Sequence, residues 1–128
     1  MPSAQINVPS GLPRAALRQA LANVSAALST VLDAPPDQVW VWVNEVDPEL
    51  WLGGGPFIHV TLIDGRPKEL LQHLIREISD GVTHALGNDR HGVRVVVTPA
   101  HPDLWGIGGV PSTVVRAEEL AARSRTQS

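Results

Sequence analysis

The sequence contains no cysteine, which leaves no disulfide framework and no thiolate chemistry and fits a reducing compartment. It also lacks a basic run: Arg14 and Arg18 share one helix face, and Arg123 and Arg125 lie in a polar tail. With a net charge of −3 and a pI of 5.9, no nucleic-acid partner is expected. No stretch approaches the roughly 20 apolar residues of a membrane span, since the longest strongly apolar run is Val39–Val43. The N-terminus lacks the charged-then-apolar layout of a signal peptide, so a cytoplasmic protein without a membrane partner is expected. Metal spacing is missing among the five histidines (His59, His73, His84, His91 and His101), of which His59 shares a strand face with Phe57. Gly106–Gly109 is not followed by the Lys-Ser/Thr of a phosphate loop and reads as a turn. Ser25 and Ser79 fall inside helices with no partnered base, which argues against a hydrolase triad.

What is present is a chain of 128 residues, 43% apolar, the size of one domain, and it repeats itself. A shift of 54 positions (56 − 2) aligns residues 2–55 with 56–109 without a gap. Pro2 falls on Pro56, Gly11 on Gly65, Pro13 on Pro67 and Leu17 on Leu71. Val39, Val41 and Val43 meet Val93, Val95 and Val97, and Leu50, Trp51, Gly54 and Gly55 meet Leu104, Trp105, Gly108 and Gly109. Each unit reads as strand, helix, strand. Ala4, Ile6 and Val8 alternate with polar residues, as do Ile58, Val60 and Leu62. Leu17, Leu21, Val24, Leu28 and Val31, and Leu71, Ile75, Ile78, Val82 and Ala85, recur at helical steps. Pro13 and Pro67 are expected as first helical residues. Asp33–Pro36 and Gly87–Asp89 are expected to close the two helices.

A strand–helix–strand unit joins parallel strands by a right-handed crossover. The expected fold is therefore α+β: a four-stranded sheet with both helices on one face. The domain would span 1–128, as two β-α-β repeats (2–55 and 56–109) and a C-terminal tail (110–128). In that tail, Val110–Thr113 reads as a loop, a short helix is expected near Val114–Ala122, and Ser124–Ser128 reads as disordered. A unit of 54 residues is marginal alone, so the halves must share a core. The other sheet face carries Trp40, Trp42, Phe57 and His59, too apolar for solvent, and points to a cyclic homo-oligomer.

Pro2 stands behind the initiator Met, and its small size favours removal of Met1 to leave a secondary amine. An α-amino group has a reference pKa of about 7.7–8.0, suited to proton transfer near neutral pH. The segments Pro56–Arg66, Leu74–Ser79 and Trp105–Gly109, with the same skeleton in residues 2–55, resemble the 4-oxalocrotonate tautomerase family. Residues 2 to about 116 look like a fused, two-unit member. The resemblance implies a proline amine as acid–base catalyst, arginines that hold an acidic substrate, an aromatic wall, no cofactor and a homotrimer. Matched residue by residue, the roles fall on Pro2, on Arg66 and Arg94, and on Trp51 or Trp105, which stand where the family has Phe.

Neither half is complete. Unit one has Leu12 and Trp40 in place of Arg66 and Arg94, and the nitrogen of Pro56 is an amide without basicity. One site per chain is expected, with the arginines from the same chain or a neighbour. The implied activity is keto–enol tautomerisation of a small 2-oxo or 2-hydroxydienoic acid. The alternatives are a superfamily decarboxylase, hydratase or dehalogenase, or a catalytically silent binding protein. Asp37 loosely resembles the decarboxylase pattern, but the spacing of Arg66 and Arg94 and the Leu62-Ile63-Asp64 segment argue against it and against a dehalogenase. Glu45, Asp47 and Glu49 border the Trp51 loop and read as solvated.

Overall fold

A computed structural model describes residues 2–118 of the chain. The elements run β1 (Ser3–Pro9), α1 (Arg14–Leu32), β2 (Trp40–Val46), β3 (Phe57–Ile63), α2 (Lys68–Leu86), β4 (Arg94–Ala100), β5 (Gly106–Ile107) and β6 (Val110–Pro111). A last helix, α3, covers 112–118. The order of the main sheet is β2-β1-β3-β4. Each crossover pair is parallel, β1 with β2 and β3 with β4, while the central pair β1–β3 is antiparallel, with Ser3 opposite Thr61 and Asn7 opposite Phe57. The α+β fold expected from the repeat is the fold observed.

Equivalent backbone bonds close the two units. The Trp40 N–H donates to Pro2 O at 3.1 Å and the Arg94 N–H to Pro56 O at 3.0 Å. Likewise the Ser10 N–H donates to Val46 O at 2.7 Å and the Asp64 N–H to Ala100 O at 2.8 Å. Pro13 and Pro67 sit one position outside the helices rather than inside them: both are extended, and their carbonyls accept from Leu17 and Leu71. An extended proline ahead of the first turn serves the same end, because its carbonyl begins the helical ladder while no N–H is wasted. At the other ends, Asp33 (φ 52°) and Gly87 (φ 69°) take the left-handed conformation that stops a helix.

The core is single. Ala4, Ile6 and Val8 from β1 and Ile58, Val60 and Leu62 from β3 meet Val24 and Leu28 of α1 and Leu74, Ile78 and Val82 of α2, all fully buried. Each such aliphatic side chain contributes about 1.5–3 kcal/mol by leaving water, so the central strands and both helices are held by one apolar layer. The helices also touch directly, with the Asn23 side-chain amide donating to Gly81 O at 2.9 Å. The opposite sheet face is uncovered in the single chain: Trp40 is 65% exposed, Trp42 45%, Phe57 41% and Val96 43%.

The C-terminal segment departs from expectation in two respects: 110–111 is a strand, and 112–113, also read as loop, already belong to the helix. Val110–Pro111, read as loop, is the second strand of a hairpin with Gly106–Ile107, and Gly108 and Gly109 make the turn at positive φ. The expected helix starts at 112; its 119–122 portion, like the tail Ser124–Ser128, lies outside the described residues, as does Met1.

The link between the units passes close to the turn that precedes β4. A Cβ on Gly55 would stand 2.5 Å from Gly92 O, and one on Gly92 would stand 2.6 Å from Gly54 O. Backbone is the obstacle in both cases, so no side chain can move aside. Gly55→Ala is expected to destabilise the fold by about 1–3 kcal/mol, the cost of overpacking, as read by thermal unfolding. A substitution that leaves Tm unchanged contradicts this crossing.

Candidate active site

Antiparallel pairing of β1 and β3 sends the two strand-opening prolines to opposite ends of the sheet. Pro2 is buried just ahead of Ser3, and by the β1–β3 register it lies beside Leu62, close to the end of β3. Arg66 follows that end by three residues and folds back on it, its Nη1 donating to Ile63 O at 3.3 Å. The half-buried guanidinium has its pKa lowered, first by desolvation and then by the charge of Arg116. Trp105 belongs to the same end. It follows the turn after β4, and its carbonyl accepts from the Ser112 N–H at 2.8 Å. Pro2, Arg66 and Trp105 thus share one end of the sheet.

Arg94 and Trp51 share the other end. They line a cavity of about 630 Å³ together with Asn7, Phe57, His91 and the Gly53–Gly55 link. Arg94 opens β4 and donates through Nη1 to His91 O at 2.6 Å and Val93 O at 3.1 Å. It is exposed in the chain, and neither it nor Arg66 forms an ion pair with another described residue. Its charge therefore carries little desolvation cost in the single chain. Arg94 pairs in register with Phe57, which faces Asn7, five residues along β1 from Pro2. At the rise of an extended strand that is about 17 Å. One chain does not bring Arg94 to Pro2.

Residue matching at the sequence level did not separate Trp51 from Trp105; the sheet assigns them to different ends. It also passed over Asn7 and His91, which line the Arg94 cavity, and Arg116, whose charge reaches Arg66. Arg116 lies beyond the repeat, so the 54-residue alignment has no position to compare with it. His59 is tied on the uncovered face, its Nε2 2.9 Å from Thr98 Oγ1. Among the described residues, no group of three or more His, Cys, Asp or Glu side chains is arranged to hold a metal ion. No described helix is long and apolar enough to cross a membrane.

The arrangement matches known proteins. The family model described as tautomerase enzyme matches residues 56–114. A probable tautomerase of Staphylococcus aureus is 34% identical over 55 residues, which is 43% of this chain and 90% of that one. Among solved structures, a fused 4-OT that forms a symmetric trimer superposes with a TM-score of 0.83 at 25% identity, covering 88% of this chain and 98% of that one. A protein inactivated by 2-oxo-3-pentynoate superposes with a TM-score of 0.84 at 25% identity and the same coverage. The chain belongs to the tautomerase family, and its fold is that of the fused 4-OT proteins.

Arg66 is a half-buried cation within reach of the charge of Arg116, without a carboxylate partner among the described residues, and its hydrogen bond to Ile63 O is long at 3.3 Å. Arg66→Met is therefore expected to unfold within about 4 °C of the parent or above it. Any gain should shrink in high salt, where repulsion from Arg116 is screened. A large fall in Tm shows instead that Arg66 holds the fold.

Proposed function

We propose that this chain is a cofactor-independent keto–enol tautomerase acting on a small 2-oxo or 2-hydroxydienoic acid. Pro2, freed by loss of Met1, serves as the acid–base group. Its nitrogen takes a proton from the enol hydroxyl, or from the carbon beside the carbonyl, and returns it at the other position. Atoms balance within the substrate, and no other reactant is consumed. Arg66 and Arg94 bind carboxylate through the planar fork of the guanidinium, and a cation so placed stabilises charge that grows on the enolate oxygen. Trp105 and Trp51 supply apolar walls.

The observation that carries this reading is the place of Pro2: a buried strand-opening residue, its carbonyl tied to Trp40, at the sheet end that also holds Arg66 and Trp105. Burial and nearby cations both disfavour the charged amine and leave more of it as free base at neutral pH. Arg94 and Trp51, at the far end, reach a Pro2 site only from another copy of the chain. The uncovered face of Trp40, Trp42, Phe57 and Val96 supports association, and a homotrimer like the fused 4-OT relative is the assembly we propose. The setting proposed is the cytoplasm.

Two outcomes test the reading. With phenylpyruvate enol followed by ultraviolet absorbance, Pro2→Ala should lower kcat/KM by about 10²–10⁴, the usual worth of a positioned acid–base group. Protein whose intact mass retains Met1 should be similarly poor, because an acylated nitrogen accepts no proton. Equal rates for Pro2→Ala and the parent overturn the role of Pro2. In the second test, Pro2→Ala and Arg94→Gln chains, each weak alone, are mixed under conditions that exchange subunits. Activity should return, since some sites then combine an intact Pro2 with an intact Arg94 from a neighbour. Mixtures that show only the average of the two variants rule out a shared site.

A further inference from the structure

We infer that Arg116, on the C-terminal helix, is a further carboxylate-binding residue at the Pro2 end, where it closes with Arg66 on one carboxylate of a small acid. The inference rests on reading that end as a substrate site, and it adds a residue that the repeat does not contain.

The helix that carries Arg116 is anchored at its start. Ser112 is fully buried; its hydroxyl donates to Pro102 O at 2.7 Å and its N–H to Trp105 O at 2.8 Å. The Thr113 hydroxyl bonds Asp103 Oδ1 at 2.8 Å. These three bonds fix the first turn of α3 against the 102–104 turn that follows β4. The end of β4 lies against the end of β3, where the Asp64 N–H donates to Ala100 O at 2.8 Å and Arg66 folds back. Arg116 stands four residues after Ser112, one helical turn, and so projects from the same helix face as the anchored serine.

Two guanidiniums are thus brought to one end of the sheet, close enough for the charge of Arg116 to act on Arg66. Neither has an ion-pair partner among the described residues. Like charges held together are unfavourable until an anion lies between them, and a guanidinium suits a carboxylate in particular. Arg66 spends Nη1 on Ile63 O, which leaves the rest of its fork for a ligand. Arg116 is exposed, with its head free to reach the same anion. The first unit has no counterpart of α3, because after its repeat the chain continues directly into β3 (Phe57–Ile63). A two-arginine clamp is therefore available at the Pro2 end and not at the Pro56 end.

The test uses the full chain and fumarate as a probe, titrated by calorimetry. Arg116→Gln should raise the Kd for fumarate about tenfold, with Tm near that of the parent, and Arg116→Lys should recover part of the loss. In turnover of phenylpyruvate enol, the same variant should raise KM while kcat stays within about twofold, the signature of lost ground-state binding. Arg116→Gln that binds fumarate within twofold of the parent overturns the inference, as does a parent chain that does not bind fumarate. A parent that binds fumarate through Arg116 but turns over no enol leaves the clamp standing and defeats the proposed reaction. Turnover that depends on Pro2 but is indifferent to Arg116 does the reverse.

Discussion

Antiparallel pairing of β1 with β3 is the constraint on which the rest of the structure depends. Each half of the chain is a parallel strand–helix–strand unit, and two such units can be joined edge to edge in either direction. The register of Ser3 with Thr61 and Asn7 with Phe57 fixes the antiparallel choice. It gives the chain an internal two-fold relation in which each end of the sheet combines the strand opening of one unit with the strand endings of the other. Pro2 therefore meets the region of Arg66 and Trp105, and Pro56 meets that of Trp51. No rearrangement of side chains within one chain carries Arg94 across to Pro2.

Packing explains why this pairing is held. Strand residues 4, 6 and 8 and 58, 60 and 62 are all fully buried under the two helices. A slip of one residue would turn this set onto the other face and bring Gln5, Asn7, His59 and Thr61 into the core. Valines of the outer strands continue the layer, with Val41, Val43, Val95 and Val97 partly buried against it. One face of the sheet is thus satisfied within the chain. The other carries exposed Trp40, Trp42, Phe57 and Val96 among polar side chains, and the proposed neighbour contacts lie on that face.

The fold was legible because the repeat placed the same periodic pattern in the sequence twice. Alternation in β1 and β3, helical steps in α1 and α2, and glycine or aspartate at the helix ends are local signals, and the elements followed them. The hairpin of Gly106–Ile107 with Val110–Pro111 was only half visible: its glycine turn was apparent, but strands of two residues are too short to show alternation. Of the candidate site, the residue types were legible and their grouping was not. Residue matching put Pro2, Arg66, Arg94, Trp51 and Trp105 in one list, whereas strand direction, a property of long-range pairing, divides that list between two ends. Arg116 was missed for a different reason: it lies outside both repeats, and its relation to Arg66 arises from the anchoring of Ser112 to Pro102 and Trp105.

The division also gives a physical reason for the differences between the units. When two copies occupy one chain, the second no longer begins at a free terminus, and Pro56 is bonded to Gly55. The link has to pass Gly92, and it does so through a backbone contact too tight for any Cβ. In the proposed reaction the Pro56 end, whose nitrogen is an amide, has no acid–base group for a cation to serve. Leu12 stands at that end in the position equivalent to Arg66, beside an apolar cavity lined by Val8, Pro9, Pro56 and Leu86. At the opposite end Trp40 holds the place equivalent to Arg94 and donates its N–H to Pro2 O. The uncharged positions 12 and 40 thus fall where the proposed assembly has no need of a cation or can obtain one from a neighbour. In a chain built from two identical units, neither substitution could occur at one end without the other.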